Sequence, residues 1–207
     1  MILLESSNRQ IRKKQLTIES LKNAFINLIL ENNSVELITI GEITNRADFN
    51  RGTFYIHYKD KIDLLEALYQ DAIEGLHQAL MLPYKGIDKV ILNGVVPSTT
   101  LIFEHIEKNK KLFKALDLIR KNPDLYNRLE QMFWNLFTTE IQFERESESE
   151  FETEYEIFLS YQIHATLGVL KFWIKKDFNY SSKFMSEQLT SFYSEKVIAM
   201  HYKEHTF

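Results

Sequence analysis

Apolar positions recur at intervals of three and four through most of the chain, the spacing of helices with one buried face. Ile11, Ile18, Leu21, Phe25, Leu28 and Ile29 predict a first helix over about 9–31, with Asn32 and Asn33 suited to its C-terminal cap. Leu64, Leu65, Leu68, Ala72, Ile73 and Leu76 predict another over about 61–82, closed near Pro83. Gly86, Gly94 and Pro97 leave 84–97 open between helix and loop. Further helices are predicted over about 98–108, around Leu112 to Ile119, and over about 124–144, 151–177 and 182–202. No run alternates with a period of two and no fixed repeat occurs, so the fold class is all-α.

Between the first helix and residue 61, the signals are caps. Thr39 and Glu42 have the spacing of a capping box, and Ile38 and Ile43 that of a hydrophobic staple. Asn50 suits the cap of a helix over 51–57, with Phe49 and Phe54 at the same staple spacing, and Asp60 caps the next helix. The turn between the two short helices holds no Gly, but Asp48 tolerates a left-handed backbone better than most residues. Two short helices this close suit a helix-turn-helix, whose second helix enters a major groove. That second helix is rich in hydrogen-bonding groups: Arg51, Thr53, Tyr55 and His57, then Tyr58, Lys59 and Lys61. Asn and Arg pair with adenine and guanine edges, while Tyr, Thr and Lys suit phosphate oxygens. Gly52 costs about 1 kcal/mol against Ala in a helix, which makes sense where the backbone must approach DNA closely. Phe54 and Tyr58 are expected in the core of the small domain.

Composition narrows the function. The 207 residues make one domain or two small ones. Absence of Cys excludes a disulfide scaffold, Cys zinc sites and thiol catalysis. The net charge of −4 argues against nucleic acid, but residues 1–60 hold 8 basic and 7 acidic groups against 17 and 22 in the rest. Arg9, Arg12, Lys13 and Lys14 cluster, and local field steers a polyanion more than net charge does. Seven Glu within 144–156 read as a solvated loop and helix start, or else as an acidic recognition surface. The longest wholly apolar runs are too short to span a bilayer, and no signal peptide is read at Met1–Leu4, so the expectation is a cytoplasmic protein without a membrane partner. A single Glu-x-x-His (Glu74 and His77) does not make a di-iron site; neither a nucleophile elbow nor a phosphate loop occurs. No catalytic residue, metal site or cofactor is therefore expected, and the chain is not read as an enzyme.

Thr39-Ile40-Gly41-Glu42-Ile43, followed by Asn50-Arg51-Gly52-Thr53-Phe54-Tyr55-Ile56-His57-Tyr58-Lys59-Asp60-Lys61, resembles the DNA-binding domain of TetR-family transcriptional regulators over about residues 9–65. The resemblance implies a cytoplasmic homodimer, mostly a repressor, released by a small molecule. It implies DNA contacts at Asn50, Arg51, Gly52, Tyr55, His57 and Lys61, with Thr39 and Ile40 close by. Thr53 joins them as a candidate, and Arg9 and Arg12 are candidates for phosphates or the minor groove. Asp48-Phe49-Asn50 departs from the commoner Gly-Val-Ser-like turn, and Tyr58 stands where Phe is usual.

The segment Ala165–Ile174 resembles the penultimate helix of one regulator subfamily. In these regulators the last two helices build a four-helix dimer interface, and Phe158, Ala165, Gly168, Phe172, Leu189, Phe192 and Met200 are the candidates here. Phe103, Phe113, Phe133, Trp134, Phe137, Tyr161 and His164 are candidates for an effector pocket, though periodicity also reads most of them as core. The expected division is a DNA-binding domain over 1–60, a connecting helix over 61–82, and an effector and dimer domain over 83–207. The expected partners are a near-palindromic double-stranded operator, a second copy and an unknown small molecule. The other reading is an interaction module or co-activator on the same fold, acting through a partner regulator.

Overall fold

A computed structural model of the chain describes residues 2–86, 97–119, 124–141 and 154–192, with side chains from residue 9 and, in the second stretch, from residue 99. The elements are α1 (Ile2–Asn32), α2 (Ile40–Arg46), α3 (Arg51–His57), α4 (Lys61–Met81), a 3-10 turn (Leu82–Tyr84), α5 (Pro97–Lys108), α6 (Lys110–Leu118), α7 (Leu125–Asn135), a π turn (Leu136–Glu140), α8 (Tyr155–Lys175) and α9 (Ser182–Phe192). The described residues hold no strand, and the fold is all-α.

Each cap read from the sequence is made. Thr39 Oγ1 accepts from the Glu42 N–H at 3.2 Å, and Glu42 returns by accepting from the Thr39 N–H at 2.8 Å. The Thr39 N–H, and after it the Thr39 hydroxyl donating to the same carboxyl at 2.7 Å, hold the Glu42 carboxyl below its usual range. Asn50 Oδ1 accepts from the Thr53 N–H at 2.8 Å, and Asp60 from those of Ile62 and Asp63. Asn33 (φ 52°) and Asp48 (φ 59°) take the left-handed backbone.

Other boundaries differ. α1 begins at Ile2 instead of near 9, and Ile11, which fits its apolar spacing, is exposed with the rest of residues 9–16. α7 ends at Asn135, giving way to the π turn well before 144. Most of 84–97, most of the acidic run, and the predicted last helix beyond 192 lie outside the described residues.

The buried side chains form one connected core. Within it α6 packs on α1, α5 on α4 and α9, and α7 on α8 and α4. Gly75 is what lets α5 approach α4: a Cβ there would lie 2.6 Å from the His105 ring. His105 is half-buried by this approach, and desolvation, with Lys108 beside it, lowers its pKa. Surface pairs fix register: Arg46 grips Glu31 with two bonds of 2.6 and 2.8 Å, and Lys22 meets Asp71 at 2.6 Å. Pairs as exposed as these contribute only about 0–1 kcal/mol each.

α8 is long and apolar enough, by length and composition only, to cross a membrane, a test that a buried core helix also meets. Here one face carries Leu159, Ile163, Leu167, Leu170 and Trp173 into the core. A second apolar face stays open, as described below.

Candidate nucleic-acid interface

α3 is fastened by a single helical residue. Phe54 is fully buried, followed by the buried cap residue Tyr58, with ring centroids 5.7 Å apart. Both are core, as expected. Burial pushes the Tyr58 phenol up to about 12, with Asp71 and Asp63 adding to it. Tyr55 stands edge-on to Phe54 at 5.6 Å yet is 58% exposed.

The face of α3 away from the core presents Arg51, Gly52, Tyr55 and Ile56, with Thr53 and His57 half-buried on its flanks. Thr39 is exposed and Ile40 half-buried at the start of α2. Arg51 joins the two helices: a Cβ on Gly41 would lie 2.8 Å from Arg51 Nη2, so the guanidinium rests on the bare backbone of α2. The structure thus brings Thr39, Ile40, Gly41 and Arg51 together. The carbonyl end of the Asn50 amide is committed to capping, accepting also from the Thr53 hydroxyl at 3.2 Å. At Gly52 a Cβ would meet only Asn50 Oδ1, at 3.1 Å. Arg9 and Arg12 lie on α1 within the exposed stretch 9–16 that precedes the buried Thr17.

Lys61 has a task the sequence did not disclose. Its ammonium donates to the carbonyls of Val35, Glu36 and Ile38 at 2.9, 2.9 and 2.8 Å. All of its protons are thus spent on the α1–α2 loop that leads into Thr39, and it holds the protein rather than facing outward. Its partners lie more than twenty residues back and are backbone atoms, which leave no mark in the sequence. Lys61→Met should cost about 1–3 kcal/mol by leaving carbonyls short of a donor, read as a lower urea midpoint. A shift under a few tenths would show that water replaces the ammonium.

The candidate effector set does not share one wall. Phe103, Phe113 and Phe133 are buried in the core, where Phe103 meets Trp173 edge-on at 5.3 Å and Phe133 stacks on Phe137 at 5.8 Å. Trp134 and Phe137 are half-buried, whereas Tyr161, at 71% exposed, and His164 lie on the outer side of α8. The helical phase of α8 separates them from the core faces. Between α4 and α7 the structure instead has an open groove of about 580 Å³, lined by residues that include Gln70, Glu74, His77, Gln131 and Asn135.

The open face of α8 holds Ile157, Tyr161, Ala165, Gly168 and Phe172, all exposed. Phe172, Tyr180 and Phe184 stack in series, 6.3 and 5.1 Å apart, and continue this face onto α9. Phe192 is exposed too. Nothing lies within 4 Å of where a Gly168 Cβ would stand. Of the dimer candidates, Leu189 is buried in the core with Met185, and Phe158 is half-buried against that core. Met200 lies outside the described residues.

α2 and α3 form a helix-turn-helix on an all-α body, and comparison with known proteins supports the class of transcriptional regulators. Residues 96–195 match the family model for a TetR-type transcriptional regulator C-terminal region. The chain is 24% identical over 172 residues to an uncharacterized HTH-type transcriptional regulator, YxbF, of Bacillus subtilis (strain 168), covering 81% of this chain and 42% of that protein. It is 29% identical over 121 residues to the transposon Tn10 TetC protein of Escherichia coli, covering 56% of this chain and 58% of that one. The chain therefore spans 42% and 58% of the lengths of these relatives. The fold matches the crystal structure of a TetR transcriptional regulator from Streptococcus agalactiae 2603V with a TM-score of 0.58 and 21% identity, over 90% of this chain and 98% of that one. Within the class of transcriptional regulators these matches support the TetR family, as the motif over 39–61 implied. They point to a non-enzyme class and do not favour the interaction-module reading.

Proposed function

We propose that this chain is a sequence-specific DNA-binding repressor that a small molecule releases from its operator. The exposed set Arg51, Gly52 and Tyr55, beside the start of α2, carries the reading. In it, α3 enters the major groove, while Tyr55, Thr39 and the Arg9–Arg12 turns bind phosphates. Residues 1–60 act as reader, 61–82 as connection, and 83–207 as effector and dimer domain. Two copies join through the open face of α8 and meet a near-palindromic site, with half-sites about one helical turn or more apart. The protein works in the cytoplasm.

The effector acts by favouring a head spacing that no longer fits DNA. A coupling of about 1–3 kcal/mol weakens binding about 5–150-fold. The α4–α7 groove is its candidate seat, since α4 runs from that groove into the head. Unchanged head separation with an effector that abolishes DNA binding would rule this mechanism out.

Fluorescence anisotropy on the DNA upstream of the chain's own coding region, with excess competitor and two salt concentrations, tests the reading. Binding should resist competitor and fall steeply with salt as counterions are released. Tyr55→Ala should weaken it about tenfold, the effect of losing one hydrogen bond to a charged group. No binding even to random duplex at low salt would overturn the proposal.

A further inference from the structure

We propose that Ile56 is a base-reading residue of α3, and that it recognises the methyl group of a thymine in the major groove. The inference rests on the DNA-binding reading above and specifies what that interface recognises.

The helical phase of α3 carries the argument. Phe54 and Tyr58 point to the core, and Thr53 and His57 lie half-buried beside them. At 100° per residue, the direction opposite the core belongs to Gly52 and Ile56, four positions apart on one ridge. Ile56 is 77% exposed, more than any other large hydrophobic among the described residues. A single exposed apolar side chain ordinarily carries no meaning. This one stands on the crest of the helix that a reader would insert, with the hydrogen-bonding groups of Arg51 and Tyr55 displaced to one side. A β-branched residue is also a poor choice for helix propensity in a helix of only seven residues.

Gly52 completes the arrangement. With no Cβ there, the first turn of the ridge is bare backbone, and the ridge can sink until Ile56 meets the base edges. An isoleucine can neither donate nor accept a hydrogen bond, so guanine, adenine and cytosine edges offer it nothing. Thymine alone presents a methyl group in the major groove. The occupant the ridge fits is therefore a thymine of duplex DNA.

The test removes that methyl and nothing else. A duplex selected from a random pool by the full chain is resynthesised with each thymine replaced in turn by deoxyuridine. Wild type should lose about fourfold in affinity at one or two positions per half-site, the effect of one buried methyl group. Ile56→Ala should be insensitive to deoxyuridine at those positions, while Ile56→Val, which keeps branched methyls, should retain the sensitivity. Equal thermal melting of the three proteins separates reading from folding. Wild type indifferent to every replacement, or Ile56→Ala losing as much as wild type, would overturn the inference with DNA binding intact. A wild-type chain that binds no duplex at low salt would overturn the proposed function itself, and this inference with it.

Discussion

Phe54→Ala is expected to destabilise the protein by about 3–5 kcal/mol, the range for truncating a buried aromatic ring. The position concentrates the effect. α3 has seven residues, far too few to persist as a helix in water without tertiary packing. Phe54 is its one buried residue, seated with Tyr58 in the core on which the half-buried Phe49 of the turn also packs. Deleting the ring leaves a cavity and removes the anchor that aims Arg51, Tyr55 and Ile56. Domains are stable by only about 5–15 kcal/mol, so this is a large share of the total. Urea unfolding followed by circular dichroism should show the midpoint falling steeply. Tyr55→Ala, one position along and exposed, should shift it by under about 0.5 kcal/mol. A loss below 1 kcal/mol for Phe54→Ala would mean that α3 is held by something other than this ring.

Gly168→Glu is expected to split the dimer and lower operator affinity by about 100-fold or more, since the second half-site then no longer adds avidity. Within one protomer the change is harmless. The position is exposed, nothing stands near the added Cβ, and glutamate is a better helix former than glycine. The harm arises only if a second copy covers this face. Ile157, Tyr161, Phe172, Tyr180 and Phe184 expose a continuous run of large apolar groups around it, the sort of patch that marks an interface. A carboxylate placed at its centre would be buried without a partner. Sedimentation velocity at equal concentrations should give a dimer for wild type and a monomer for the variant, with unchanged melting of the helices. A variant that remains dimeric would move the interface elsewhere, and a monomeric wild type would remove it.

The parts of the molecule legible in the sequence are those governed by neighbours in the chain. Thr39, Asn50 and Asp60 each bond to backbone N–H groups two or three residues on, so their helices could be placed almost to the residue. Asp48 takes the left-handed turn for the same reason, a conformational preference of the residue itself. Apolar period found the core faces of α4, α5, α7 and α8 because a face packed along its length repeats with the helix. Where nothing packs, the period misleads: Ile11 fits the apolar spacing of α1 and is nonetheless exposed.

By itself, then, the sequence determined the all-α class, the caps, the helix-turn-helix, and the division of α3 into a buried Phe54 and an outward Tyr55. Their physical cause is short-range hydrogen bonding and helical phase. Tertiary structure alone decided that Lys61 spends its charge on loop carbonyls, that Arg51 rests on Gly41, and that Leu189 faces the core. It also decided that the candidate effector aromatics part between the core and an outer face, and that Gly168 stands uncovered. Each of these depends on which surfaces meet across elements distant in sequence. Residue type and spacing say that a face is apolar, but not which face finds a partner within its own chain.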